Sequence, residues 1–233
     1  TIHNIQYQGK YGLEVLTDVL GIPKEATSLV EYDDCVNLLK GAVECSNWVS
    51  TVSPTYAQEI MDPWFSYKLD GILKERSWKL SGILNGTKNY DPETDSDIYA
   101  PYSATHPEGK AVNKQKLQER LGLEQNSDIP LIGMVTRMVS AKGLDLVIEG
   151  LDQIMCSNNV QFVILGSGDF EYESFFRSMQ DKYPGRLVAC QGFVPELSRK
   201  IYAGSDIFLM PSRSEPCGLS QMIALRYGSI PVV

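Results

Sequence analysis

A doubly wound α/β protein is the fold class this sequence predicts, and three observations predict it. From about Met134 onward, apolar runs of strand length alternate with amphipathic runs of helix length, the pattern of parallel strands joined by crossover helices. The apolar runs are continuous rather than alternating, as strands buried on both faces are. Polar and glycine residues that break this pattern fall just beyond the apolar runs, where open parallel sheets carry their ligands.

In chain order, residues 1–84 read as the later part of a first α/β domain. "TIHNIQ" reads as a strand with its exit loop, and "WVSTVS" as a second strand. Ser53 and Pro54 form an N-cap and first-turn start for a helix over "TYAQEIM". "KLSGILNG" reads as a further strand ending in a turn. Residues 85–112 are expected to be an interdomain linker, because positions 86–107 have little periodicity and many turn formers. "KAVNKQKLQERLGL" is a helix that leads into a second domain, residues 113–233. There "LIGMVTR", "QFVILG", "RLVACQG", "DIFLMPS" and "IPVV" read as strands. Between them lie a helix with an apolar stripe through Leu144, Val147, Ile148, Leu151, Ile154 and Met155, and a helix over "DFEYESFFRSMQDKY" stopped by Pro184-Gly185. "ELSRKIYAGS" and "LSQMIALRYG" supply two more. Both ends break off inside this pattern, so the chain is expected to be an internal stretch of a longer protein, truncated in both domains.

The 233 residues are 43% hydrophobic and 21% charged, which is ordinary for a globular protein and ample for a core. A formal charge of −8 argues against nucleic acid and anionic membranes as partners, and no run of 18 apolar residues suggests a membrane span. Any anion must be held by local devices. The 5 cysteines are scattered with no paired spacing, which points to reduced thiols in a cytoplasm-like compartment.

Four strand exits of the second domain carry unusual residues, and right-handed crossovers bring all four to one edge of the sheet. After the first come Arg137 and Lys142, two cations suited to a diphosphate and to the charge that grows on it as it leaves; the plainer reading is two surface cations on a loop. After the second comes "GSGD", Gly166 to Asp169, where missing side chains admit a nucleotide, or which is a bare turn. After the third comes Phe193, placed to stack on a base or to fill core. After the fourth comes "RSEPCGL". Pro216 suits a first helical position, so that the N–H groups of Cys217, Gly218 and Leu219 point at an oxygen anion or a sugar hydroxyl. Glu215 stands at the rim of an apolar core, where a carboxylate is costly without a partner. It either meets a sugar or is an acid favoured by the helix dipole. A nucleophilic role for Cys217 needs a histidine, and only His3 and His106 exist. No His/Asp/Glu cluster has metal-ligand spacing.

"TIHNIQYQG", "TVSPTYAQEI", "LSGILNG", "YDPETD", "NKQKLQERLGL", "TRMVSAKGLDL", "LGSGD" and "MPSRSEPCGLSQMIALRYG" occur in an order that resembles the bacterial glycogen synthases and plant starch synthases. The resemblance spans essentially the whole chain. It implies a GT-B arrangement of two facing Rossmann-like domains, and transfer of glucose from ADP-glucose to the non-reducing end of an α-1,4-glucan with retention of configuration. No metal or other cofactor is expected on this basis, and the partners are the donor and the glucan. By the same resemblance His3 and Asn85 face the transferred glucose, Arg137 and Lys142 neutralise the donor phosphates, and Gly166, Gly168, Asp169 and Phe193 hold the nucleotide. Glu215 steadies the anomeric charge or, less favourably, attacks it, while Cys217, Gly218 and Leu219 bind the sugar. Thr87-Lys88 stands where the family has an aliphatic residue followed by Asp. The competing expectations are a non-catalytic nucleotide-sugar or glucan binder on the same fold, and a retaining transferase with another acceptor.

Overall fold

The computed structural model describes all 233 residues apart from the side chain of Lys24. They form two compact units divided between Gly86 and Thr87.

In the first unit the chain runs β1 (Lys10–Tyr11), α1 (Val15–Asp18), β2 (Glu31–Tyr32), β3 (Cys35–Asn37), α2 (Leu38–Cys45), β4 (Val49–Thr51), α3 (Pro54–Glu59), α4 (Asp70–Glu75) and β5 (Leu80–Gly82). Strands β4 and β5 pair in parallel, Val49 opposite Leu80. "TIHNIQ" contributes a single parallel bridge, Ile2 to Thr51, rather than the strand expected of it. The reason is that the chain turns at once: Ile5 is buried and donates its N–H to the Tyr56 hydroxyl at 3.1 Å. Ser53 caps α3 as expected, accepting from the Tyr56 N–H with Pro54 in the first turn.

The second unit runs α5 (Glu108–Leu121), β6 (Leu131–Val135), α6 (Leu144–Ser157), β7 (Gln161–Gly166), α7 (Phe170–Lys182), β8 (Leu187–Gln191), α8 (Pro195–Gly204), β9 (Ile207–Leu209), α9 (Leu219–Arg226) and β10 (Ile230–Val232). The sheet order is β10-β9-β6-β7-β8, every pair parallel. Successive crossovers therefore lead outward from β6 to β8, and the next returns to β9 on the other side of β6. One face of the sheet buries Met134, Ile164 and Leu187 against Leu144, Leu151 and Met155 of α6 and Phe176 and Met179 of α7. The other buries Leu131, Val163 and Leu165 against Leu117 of α5 and Leu197 and Ile201 of α8. Each large side chain so buried contributes about 1.5–3 kcal/mol.

Residues 87–107, most of the 85–112 stretch expected as linker, are fastened to this unit. Ile98 and Tyr102 enter a cluster with Tyr202, Phe208, Ile223 and Tyr227, and Tyr90 packs beside it. Asp95 accepts from Arg199 at 2.8 Å and from the Tyr227 hydroxyl, and Tyr102 donates to the Tyr227 carbonyl at 2.8 Å. The segment lacks periodicity because it is irregular chain, yet irregular chain can bury aromatic residues. The Lys110 ammonium, on α5, donates to the carbonyls of Ala203, Ser205 and Tyr227 at 3.1, 2.9 and 2.9 Å. It thereby caps the ends of α8 and α9, where backbone carbonyls are otherwise orphaned, and its burial lowers its pKa to about 8.

Candidate active site

The reversal in strand order lies between β6 and β9, so their exits open a crevice between helices on opposite faces. The two exit loops touch. Gly143 is left-handed, φ +66°, and a Cβ there would sit 1.8 Å from the Pro211 carbonyl oxygen. Only glycine meets both demands. The Arg213 N–H donates to the Ala141 carbonyl at 3.1 Å, and its guanidinium pairs with Asp145 of α6. That hydrogen bond holds the Asp145 carboxyl below its ordinary range.

This contact places Lys142 beside Glu215. The ammonium donates to Glu215 Oε1 at 2.5 Å, and the Ser212 hydroxyl donates to the same oxygen at 2.7 Å. The two charged side chains are 17% and 22% exposed, enough shielding for the pair to matter and enough access for a ligand. The partner that makes Glu215 tolerable at the rim of the core is therefore Lys142, 73 residues away. Helix α9 starts at Leu219, after Gly218 at φ +71°, so Pro216 does not open it as the sequence suggested. A left-handed Gly218 interrupts any helical run from Pro216, leaving Glu215, Pro216 and Cys217 in irregular chain that bends at Pro216 and Cys217.

Further along the edge, Gly166 and Gly168 are glycines for a reason nearer than a ligand. A Cβ on Gly166 would lie 1.8 Å from the Thr136 carbonyl oxygen, and one on Gly168 2.2 Å from that of Met138. The β6 and β7 exits run side by side, with the Met138 N–H donating to Ser167 O at 2.8 Å and the Asp169 N–H to Met138 O at 2.7 Å. Glu173 of α7 accepts from the Gly168 N–H at 2.9 Å. Asp169, exposed, occupies the N-cap of α7. A cavity of about 210 Å³ opens here, lined by Thr136, Arg137, Gly166, Ser167, Phe193 and Ser198 among others. Phe193 is 91% exposed at its mouth, so the core reading of that residue is excluded.

The predicted residues of the second unit thus fall into two neighbouring groups on one edge. Lys142 and Glu215 meet at the switch point, while Arg137, Gly166 and Phe193 share the cavity. In the first unit, His3 is exposed just beyond the Ile2 bridge and Asn85 is half-buried beyond β5, both past the exits of parallel strands. Among the described residues no group of three or more His, Cys, Asp or Glu could hold a metal, and no helix is long and apolar enough to cross a membrane. Sequence reasoning missed Ser212 and the Arg213–Asp145 brace. Ser212 lies three positions before Glu215 and could have been suspected from that spacing; the brace joins the β9 exit loop to the first turn of α6, 68 residues away, and left no local signal.

Residues 1–75 match the family described as the starch synthase catalytic domain, and residues 129–233 match glycosyl transferases group 1. Over all of its length the chain is 47% identical to a glycogen synthase of Pseudothermotoga lettingae and 48% identical to one of Bacillus cereus. The chain belongs to the glycogen and starch synthase family. It spans about half the length of these curated relatives, 48% of the first and 50% of the second. A solved structure of the catalytic domain of starch synthase IV from Arabidopsis thaliana, bound to ADP and acarbose, is similar over 98% of this chain and 48% of its own. The TM-score there is 0.88 and the identity 38%. A GT-B glycosyltransferase fold follows from that match together with the parallel sheet.

Proposed function

We propose that the protein containing this sequence transfers glucose from ADP-glucose to the non-reducing end of an α-1,4-glucan, with retention of configuration. The observation that carries the proposal is the Lys142–Glu215–Ser212 cluster at the switch point of a parallel sheet, beside a cavity lined by Arg137 and Phe193. Support for the ligands comes from the starch synthase structure that holds ADP and acarbose.

In this reading the nucleotide lies along the β7 and β8 exits, with Phe193 against the base, and Gly166, Gly168 and Asp169 shaping the loop beneath it. Arg137 and Lys142 meet the diphosphate. As the bond from C1 to the phosphate oxygen breaks, negative charge grows on the departing ADP and these cations stabilise it. Positive charge grows on the anomeric carbon, and Glu215 lies within a hydrogen bond of the cation that holds the leaving group. The acceptor 4-hydroxyl forms the new bond to C1 on the face that ADP leaves, and its proton passes to a phosphate oxygen. Cys217, Gly218 and Leu219 are assigned to the sugar hydroxyls. For His3 and Asn85 the support is the family resemblance alone. The reaction needs no metal or other cofactor, and a bacterial cytoplasm is the proposed location.

The test is glucose incorporation into glycogen by the full-length protein, with ADP-glucose and UDP-glucose compared, alongside Glu215→Ala and Lys142→Ala. Incorporation from ADP-glucose, reduced about a hundredfold or more in each variant, is the expected result. Nucleotide binding with no transfer from either donor would overturn the proposal in favour of a binding protein.

A further inference from the structure

The three tryptophans of the chain all lie in the first unit and are exposed, Trp64 at 84%, and two of them stand together. Trp48 is 73% exposed and Trp78 68% exposed, although an indole has much to gain from burial. They are neighbours, with ring centroids 6.3 Å apart and ring planes at 66°. The parallel register explains why: Val49 pairs with Leu80, so residues just before β4 and β5 come together at the amino ends of the strands. His3 and Asn85 lie past the opposite, carboxyl ends.

The pair is braced from below. Lys79 is 4% exposed, and its ammonium donates to the carbonyls of Glu44 and Ser46 at 3.2 and 2.7 Å. It also lies 5.7 Å from the centre of the Trp78 ring. One buried cation thus ties the segment that carries Trp78 to the turn that carries Trp48. The backbone on either side of the pair is anchored through Lys79 before any ligand arrives, which lowers the cost of ordering on binding. The chain neighbours Asn47, Glu75 and Ser77 are exposed and polar, so hydrogen-bonding groups alternate with the two apolar faces.

We propose that Trp48 and Trp78 form a platform for an α-1,4-glucan, separate from the strand-exit edge of the first unit. A pyranose ring offers an apolar C–H face with hydroxyls around its rim, which matches an indole set among polar groups. Successive rings of an α-1,4-linked chain turn relative to one another, so two tilted indoles suit it better than coplanar ones would. The inference rests on the proposed function insofar as that names the same polymer as acceptor. Gripping the polymer at a second place raises the effective concentration of its ends without a new contact at the reacting bond.

The experiment uses the full-length protein and its Trp48→Ala/Trp78→Ala variant in native gels cast with glycogen, where binding appears as retarded migration. The alanine pair is expected to weaken retention about tenfold and to raise KM for glycogen, with kcat/KM for maltotriose unchanged. A Trp48→Tyr/Trp78→Tyr pair, which keeps two aromatic faces, is expected to restore most of the retention. Unchanged retention in the alanine pair overturns the inference, as does a loss that the tyrosine pair fails to recover. A change in elution volume with retention intact assigns the indoles to a protein interface and overturns it too. Retention is read without donor, so failure of the platform and failure of the transfer reaction are separate results.

Discussion

Replacing Gly143 by alanine should be among the most damaging single-methyl additions this protein can receive. An L side chain held in the left-handed region costs about 1–2 kcal/mol, and Gly143 sits at φ +66°. The added Cβ would lie 1.8 Å from the Pro211 carbonyl oxygen. That atom is backbone, itself followed by the loop that carries Glu215, so it cannot swing aside as a lysine tip would. Forcing such a contact apart costs about 1–3 kcal/mol. The sum is about 2–5 kcal/mol, or a fall in Tm of about 10 °C for a unit of this size. Gly150 supplies the control: it lies inside α6, the helix that Gly143 precedes as N-cap, with nothing within 4 Å of an added Cβ. Gly150→Ala should raise stability by about 0.5–1 kcal/mol, the ordinary helical gain. Thermal unfolding of the two variants beside the wild type reads both numbers. Because the shift at Gly143 separates the two exit loops, glucose transfer by Gly143→Ala should fall even at temperatures where the protein stays folded. A Gly143→Ala protein within 1 kcal/mol of wild type, on the other hand, would refute the close approach of the β6 and β9 exits.

A double-mutant cycle of Lys142→Met and Glu215→Gln should return a coupling of about 1–2 kcal/mol in urea unfolding, each single change leaving a half-buried partner uncompensated; additive effects would mean that the pair contributes nothing to the fold. Phe193→Ala should leave stability within about 0.5 kcal/mol of wild type, since the ring is 91% exposed, while raising KM for the nucleotide donor about tenfold; a marked loss of stability with an unchanged KM would return the residue to a structural role. Burial pushes the Asp95 carboxyl up, but bonds from Tyr227, the Asp97 N–H and Arg199 outweigh it and the pKa is lowered. A carboxyl lowered on folding contributes stability above its unfolded pKa of about 3.9, lost as pH falls through the folded value. Urea midpoints of wild type and Asp95→Asn should therefore differ most near neutrality and converge in acid, and a difference independent of pH would remove Asp95 as the cause.

Much of the second unit was legible because its signals are local. Continuous apolar runs such as "QFVILG" mark strands buried on both faces, and β7 is buried along its whole length. The stripe through Leu144, Val147, Leu151 and Met155 is the buried face of α6, although Ile154, expected in it, is 40% exposed, and Pro184-Gly185 marks the stop after α7. Signals that depend on partners were read less well. Pro216 obeys the rule for a first helical residue, but Gly218 in the left-handed region decides where α9 begins. Residues 87–107 lack periodicity, which says that they are irregular and says nothing about whether Ile98 and Tyr102 are buried. The glycines of "GSGD" suggested room for a ligand; the side a Cβ would occupy is taken by carbonyls of the neighbouring exit loop, while Gly166 also lines the cavity.

The pairing of Lys142 with Glu215 shows where such reading stops and why. Right-handed crossovers place both residues on one edge of the sheet, and this much follows from the alternation of strands and helices. Which exits are neighbours depends on strand order, and the sequence does not distinguish β9 beside β6 from β9 beyond β8. The choice is made by packing: the Lys110 clamp on the ends of α8 and α9, together with the 87–107 segment around Tyr227, holds β9 on the far side of β6. Once that order is set, the carboxylate that looked isolated after Met210 acquires a cation from 73 residues earlier. Ammonium and carboxylate offset each other's charge at the rim of the core. On the proposed reaction a diphosphate brings further negative charge to Lys142, the same ammonium then bridges leaving group and carboxylate, and Glu215 is held where positive charge develops. A residue placed badly for stability alone is thus placed well for that chemistry.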